Sequence, residues 1–297
     1  MKLSHIGLAV LAMAVWGFNF VAISLGLTEL PPFLFTGLRF VATVIPFIFF
    51  VRKPEISWKL IFAVGFFLLT LQFAFLFKGI QMGVGGGIAS TVIQCQAFFT
   101  LIFGANLLRE APTIRDISGL AVAGFGILLI GLSMGRASAI GLFTIVLAGA
   151  CWAVGNIFLK KVGKVDMMAL IIYASLFPPI PLFVLSYAVE GPEKIIAGFE
   201  AFSWISGFSL VYIVLVSTLF SYSVWGFLMK NYESRQVAPF GLLVPIFGIF
   251  SGWLVLNEEF AGQKLFGAAL VIFGLVVVNW RALAPYIKRA VDKQTTF

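Results

Sequence analysis

The chain has 297 residues, 61% of them hydrophobic and only 11% charged, with twenty Lys and Arg against twelve Asp and Glu for a net charge of +8. A soluble domain carries about 25% charged residues, so the composition excludes one and makes lipid the solvent. The positive excess then reports orientation in a bilayer, and nucleic-acid binding is not expected.

A helix needs about 20 apolar residues to cross a bilayer, and stretches of that kind predict spans at 6–26, 33–51, 58–77, 86–108, 114–133, 139–159, 167–189, 203–229, 236–256 and 264–284. Lys2 and Ala12-Met13-Ala14 imitate a secretory signal, but the apolar run continues to Gly26, longer than a signal requires, so it reads as the first span. Trp16 and Asn19 share one face of it. An indole beside a carboxamide suits a small zwitterion, or else the amide serves an interhelical hydrogen bond.

Arg39 is the only charged residue well inside a span, about 10 Å below the outer surface at the helical rise. Its planar fork fits a substrate carboxylate; the alternative is a structural Arg that snorkels outward or bonds backbone carbonyls. Pro46 follows in the same span, and Gln72 is a weaker polar candidate in the third. Lys78 and the glycines at 83, 85, 86 and 87 divide the Phe-rich run between 58 and 108. In the fourth span Gln94 and Gln96 project about 200° apart, and Gln94, which shares its face with Ser90 and Thr91, is preferred.

Gly119 and Ala123 in the fifth span permit close helix packing, either within the chain or in a homodimer. Trp152 and Asn156 share a face of the sixth span as Trp16 and Asn19 do in the first. Pro178, Pro179 and Pro181 interrupt the seventh, Tyr222 and Trp225 add polar-tipped aromatics to the eighth, and Pro239 and Pro245 lie in the ninth. Prolines inside helices free carbonyls, which lipid tolerates only where they face protein or a wet cavity. Cys95 and Cys151 sit mid-span as small packing residues.

With residue 1 inside the cell, fifteen of the twenty basic residues fall on the inner side and four on the outer. This positive-inside pattern places both termini in the cytoplasm. The chain also repeats itself: Ala14-Val15-Trp16 with Asn19 and Phe20 recurs as Ala150-Cys151-Trp152 with Asn156 and Phe158, and Glu110, Gly119, Phe125 and Gly126 recur 148 residues later as Glu258, Gly267, Phe273 and Gly274. Five spans per copy is odd, so the second copy enters from the opposite side. The expected fold is therefore an all-α integral membrane protein of ten transmembrane helices, arranged as two inverted five-helix repeats over 1–136 and 137–297.

All twelve acidic residues fall in loops or at helix ends, which leaves no mid-span carboxylate for a proton relay and favours facilitated diffusion or exchange. No His/Asp/Glu cluster, nucleophile elbow or metal-ligand spacing is present, so neither an enzyme nor a cofactor or metal site is expected.

The stretches AVWGFNFVAISLGL, PPFLFTGLRF, GIASTVIQCQAFFTLIFGANLLRE, WAVGNIFLKK and YESRQVAPFGLLVPIFGIFSGWLVLNEE resemble the EamA family of the drug/metabolite transporter superfamily, end to end. The resemblance implies a central cavity built from spans 1–4 and 6–9, with spans 5 and 10 at the periphery. It also implies export of small amino acids and derivatives, of the cysteine and O-acetylserine kind, across a bacterial inner membrane by alternating access. The candidate substrate-binding residues are Trp16, Asn19, Arg39, Gln72, Gln94, Gln96, Trp152, Asn156, Tyr222 and Trp225. Two rivals are an exporter of hydrophobic drugs or other metabolites on the same fold and a non-transporting membrane interaction protein.

Overall fold

The computed structural model describes residues 1–108, 113–134, 136–163, 165–232, 237–259, 262–278 and 280. Arg109, Glu110, Lys164, Arg235 and the basic cluster from Arg281 to Lys293 lie outside the described residues. Every regular element described is helical: α1 (Leu3–Gly26), α2 (Pro32–Val44), α3 (Trp58–Gln81), α4 (86–108), α5 (Ile114–Leu132), α6 (Arg136–Val162), α7 (Met167–Ala174), α8 (Pro179–Glu190), α9 (Pro192–Glu200), α10 (204–231), α11 (238–256) and α12 (Gly262–Val278).

Among the described residues, α1, α3, α6 and α10 are long and apolar enough to cross a membrane, and α7 with α8 is a fifth if that bent pair forms one span. Large apolar side chains such as Phe208, Phe250, Trp253 and Phe273 are exposed, as they are where lipid and not water surrounds a protein.

Local chemistry sets the breaks. Pro32 opens α2 at a position where a missing N–H costs nothing. Ile45 keeps helical angles (φ −55°, ψ −48°), and the regular helix stops at Val44 because Pro46 has no N–H to continue the hydrogen-bond ladder. Pro46 thus ends α2 where an interior kink was expected, and the predicted span to residue 51 is regular only over its first part. The prolines at 178, 179 and 181 separate α7 from α8, which meet at a 41° bend. The Asp166 side chain caps α7 by accepting from the backbone N–H of Met168 at 2.9 Å and Ala169 at 3.2 Å. Gly191, at φ +83°, then turns the chain into α9, a short helix that hydrophobicity does not reveal.

Helix partners are mostly distant in sequence. α1 packs on α10 and α11, α6 on α3 and α4, α2 on α3 and α8, and α4 on α11. α5 lies against α12 with very small residues between them. A Cβ on Gly126 would come 2.5 Å from the Gly267 carbonyl oxygen, and one on Gly119 would come 2.7 Å from that of Gly274. These four glycines are the ones that recur at a spacing of 148, and they pair crosswise. Ala123, weighed as a dimer contact, faces Gly274 of the same chain.

Among the described residues, three helices carry π-helical stretches, where hydrogen bonds skip one residue more than in an α-helix. They are Gly65–Leu71 in α3, Ser186–Glu190 in α8 and Tyr212–Phe220 in α10. Adding the repeat spacing of 148 to 65–71 gives 213–219, which falls within the stretch of α10.

Candidate functional site

Arg39, in the middle of α2, is only 2% exposed, so the guanidinium does not snorkel to either surface. Its Nη2 donates to Thr218 Oγ1 at 3.1 Å. The guanidinium carbon lies 3.8 Å from the ring centroid of Phe73 on α3 and 5.2 Å from that of Phe40. A desolvated cation–π contact of this kind is worth about 2 kcal/mol. Among the described residues, Arg39 Nε and Nη1 have no hydrogen-bond partner. A buried guanidinium with two idle donor nitrogens and no described carboxylate bonded to it is ready to donate to an anion.

Thr218 belongs to the π-helical stretch of α10, and so does Ser217, whose carbonyl oxygen accepts from Trp16 Nε1 at 3.0 Å. Trp16 packs edge-on to Tyr222 at 5.4 Å between centroids and tilts against Trp225 at 5.6 Å. The Tyr222 hydroxyl also interacts electrostatically with the Arg39 charge. One residue earlier on α1, the carbonyl of Val15 accepts from Tyr212 Oη at 2.9 Å.

Asn19 falls between Val15 and Trp16 around the helix, about 40° from the first and 60° from the second, which turns it to the face that meets α10. It is buried, and its Oδ1 has no partner among the described residues. Gln72, next to Phe73, is likewise buried with Nε2 unpartnered. The junction of α1, α2, α3 and α10 therefore gathers Trp16, Arg39, Tyr222 and Trp225, with Asn19 and Gln72 on adjoining positions.

The remaining candidates lie elsewhere and are bonded differently. Gln94 Nε2 donates to the Gly241 carbonyl at 3.1 Å, linking α4 to α11. Asn156 Nδ2 donates to Gln96 Oε1 at 3.0 Å and to Thr100 Oγ1 at 3.3 Å, linking α6 to α4. Trp152 is half-buried and packs on the main apolar core. The two Trp/Asn pairs that look alike in sequence thus differ in state: Asn156 is engaged between helices, whereas Asn19 keeps an idle oxygen.

Three carboxylates, invisible as site residues in the sequence, tie the two halves together through helix N-termini. Glu29 accepts from Ser203 N at 3.1 Å and from Ser203 Oγ and Ser206 Oγ at 2.5 Å, at the start of α10. Glu190 accepts from Phe33 N at 2.7 Å, Leu34 N at 3.2 Å and Ser186 Oγ at 2.6 Å, at the start of α2. Glu258 accepts from Gly87 N at 3.1 Å, at the start of α4. Negative charge is favoured at such termini, where unpaired N–H groups point outward.

The hydrogen bonds from Ser203 and Ser206 hold the Glu29 carboxyl below its ordinary pKa. Burial pushes Glu258 up, against the opposing pull of the Gly87 and Gly86 amides and of Lys264. Cavities of about 350 and 270 Å³ open among these carboxylates, the first beside Glu29 and Glu190 and the second beside Glu258. A larger groove of about 670 Å³ runs along α11 to Glu258, and none of the three is lined by Arg39.

Sequence reading missed Thr218, Phe73 and the three carboxylates. The repeat spacing held one usable signal, since it carries Thr70 onto Thr218.

A family model described as the EamA-like transporter family matches residues 3–132 and 139–280. The chain is 38% identical over 285 residues to a probable amino-acid metabolite efflux pump of Escherichia coli (strain K12), with 92% of this chain and 95% of the relative covered. It is 39% identical over 277 residues to a protein of the same description from Salmonella typhimurium, with 91% and 93% covered. A solved crystal structure shares the fold at a TM-score of 0.60 and 16% identity, covering 95% of this chain and 99% of that one.

Proposed function

The chain belongs to the EamA-like transporter family, and on that premise we propose that it exports small amino acids and their derivatives, of the cysteine and O-acetylserine kind, across a bacterial inner membrane by alternating access. It is a multi-pass membrane transporter. The finer reading is of ten crossings in two inverted repeats, 1–136 and 137–297, with both termini cytoplasmic. The crosswise glycine pairs of α5 and α12 and the matched π-helical stretches of α3 and α10 support it. So do the helix pairings, because α1 on α10 and α11 has its counterpart in α6 on α3 and α4.

The observation that carries the function is Arg39: a buried fork with two idle N–H donors, braced by Thr218 and Phe73. In this reading Arg39 takes the substrate carboxylate, and Trp16, Tyr222 and Trp225 form an apolar wall. Asn19 and Gln72 offer polar handles, while Gln94, Gln96, Trp152 and Asn156 form the facing side. The carboxylates at Glu29, Glu190 and Glu258 bridge the halves at the outer ends of their helices, which supports a conformation closed on that side.

Counterflow in proteoliposomes tests the proposal. Labelled cysteine or O-acetylserine should exchange against unlabelled amino acid trapped inside, without an imposed pH gradient. Absence of exchange overturns the substrate, and strict dependence on a pH gradient overturns the uncoupled mode.

A further inference from the structure

α11 carries Ile246, Ile249, Phe250 and Trp253 at helical spacing along one face, and with Ile272 of α12 they line the groove of about 670 Å³. Phe250 and Trp253 are more than half exposed in it. At the helical rise the distance from Ile246 to Asn257 is about 16 Å, half the thickness of a hydrocarbon core about 30 Å deep. An apolar slot of that length accommodates an acyl chain from one leaflet, and its end has to suit a headgroup.

That end is polar. At Glu258 and Glu259 the groove meets the cavity of about 270 Å³ that Ser133, Ser138 and Lys264 also line. Asn257, at φ +52°, stops α11 at the same place, so the helix's last carbonyls and the negative end of its dipole fall there too. The described charged side chains lining the two spaces are two acids and one lysine. This arrangement suits a cation accompanied by a single anion.

A phospholipid with an ammonium head matches it, the ammonium toward the acids and the phosphate toward Lys264. A headgroup whose one charge is its phosphate would bring an anion to two acids with no cation of its own. A trimethylated head keeps the positive charge but has no N–H to donate to a carboxylate.

We infer that the groove between α11 and α12 binds one phosphatidylethanolamine molecule, with an acyl chain along Phe250 and Trp253 and the headgroup between Glu258, Glu259 and Lys264. Arg39 lines neither space, so the lipid and the cargo have separate sites. Glu258 also accepts from Gly87 N at the start of α4, which sets the lipid against a link between the two halves.

The experiment reads Trp253 fluorescence of the full-length protein in vesicles of brominated phosphatidylcholine, whose acyl bromines quench an indole they touch, diluted with unbrominated lipid of the same chain length. The Trp253 signal is the difference between the wild-type protein and Trp253→Phe. Unbrominated phosphatidylethanolamine should restore half of that signal at a mole fraction about tenfold lower than phosphatidylcholine or phosphatidylglycerol requires, a preference of about 1.4 kcal/mol. Glu259→Gln, at an exposed position, should bring phosphatidylethanolamine within about twofold of phosphatidylcholine.

A phosphatidylethanolamine preference that disappears in Glu259→Gln upholds the inference. Recovery by either other lipid at the same or a lower mole fraction reduces the groove to ordinary lipid contact and overturns it. A preference that Glu259→Gln leaves intact, or no quenching of Trp253 at all, overturns it as well.

Discussion

Phe73 lies with its ring centroid 3.8 Å from the Arg39 guanidinium carbon, and it stands two residues after the π-helical stretch of α3 whose counterpart in α10 supplies Thr218. Both supports of the one cation buried among the described residues therefore come from helices with interrupted hydrogen bonding.

Arg39→Met should stabilise the protein by about 1–3 kcal/mol, because an apolar side chain replaces a charge without a counter-ion. It should also reduce transport about a hundredfold, since a buried carboxylate partner is lost. Arg39→Gln should insert and fold normally with a similar loss of transport. Thermal unfolding in detergent and proteoliposome exchange, run on the same preparations, check both halves of this expectation. A destabilised Arg39→Met with unchanged transport would make Arg39 a brace.

Asn19→Ala and Asn156→Ala should separate a cargo contact from a structural one. Asn156 joins α6 to Gln96 and Thr100 of α4, so its loss should cost about 0.6 kcal/mol, the average for such bonds in membranes. Asn19 Oδ1 has no described partner, so Asn19→Ala should leave the melting temperature nearly unchanged and raise KM. The reverse ranking of melting temperatures would contradict the assignment.

Glu29 and Glu258 should respond to pH with opposite signs. The native Glu29 pKa is depressed, so its contribution to stability is present above the ordinary carboxylate range and is lost as pH falls through the depressed value. The native Glu258 pKa is raised, so the folded state binds its proton more readily, and that contribution is lost as pH rises through the raised value. Glu258→Gln should therefore be tolerated near neutral pH, keeping an acceptor for Gly87 N without a buried charge. Glu29→Gln should lower the melting temperature at pH 7 and remove part of the acid sensitivity. Melting curves between pH 4 and 8 on the two variants read both signs.

Gly126→Ala should destabilise by about 1–3 kcal/mol, the usual cost of overpacking a close contact, because its Cβ would meet the Gly267 carbonyl oxygen at 2.5 Å. Gly124→Ala, on the same helix with nothing within 4 Å of the added carbon, should be neutral to slightly stabilising. Differential scanning fluorimetry on the pair is sufficient.

The all-helical, apolar character of the chain was legible because lipid imposes a length and a composition on every crossing helix. The glycine repeat at 119, 126, 267 and 274 was legible for a similar reason, since close helix approach in lipid admits only small residues. Thr218 was not, because its partner Arg39 is 179 positions away and nothing local to a π-helical stretch announces it. The carboxylate links of Glu29, Glu190 and Glu258 were hidden in the same way: each looks like an ordinary loop acid until folding brings another helix's N-terminus to it. Asn19 and Asn156 show the opposite relation between sequence and surroundings. The residues match in sequence, yet Asn156 bonds Gln96 and Thr100 while Asn19 Oδ1 has no partner among the described residues.

The crosswise glycines of α5 and α12 are interchangeable under exchange of the two helices, since carrying Gly119 onto Gly267 and Gly126 onto Gly274 turns the Gly126–Gly267 contact into the Gly119–Gly274 contact. Such a seam offers no preference for either tilt of the structures it joins. If transport is uncoupled, as proposed, the cargo gradient alone sets the direction of net flow, so the same molecule that empties a cell of surplus metabolite would fill one placed in a richer medium.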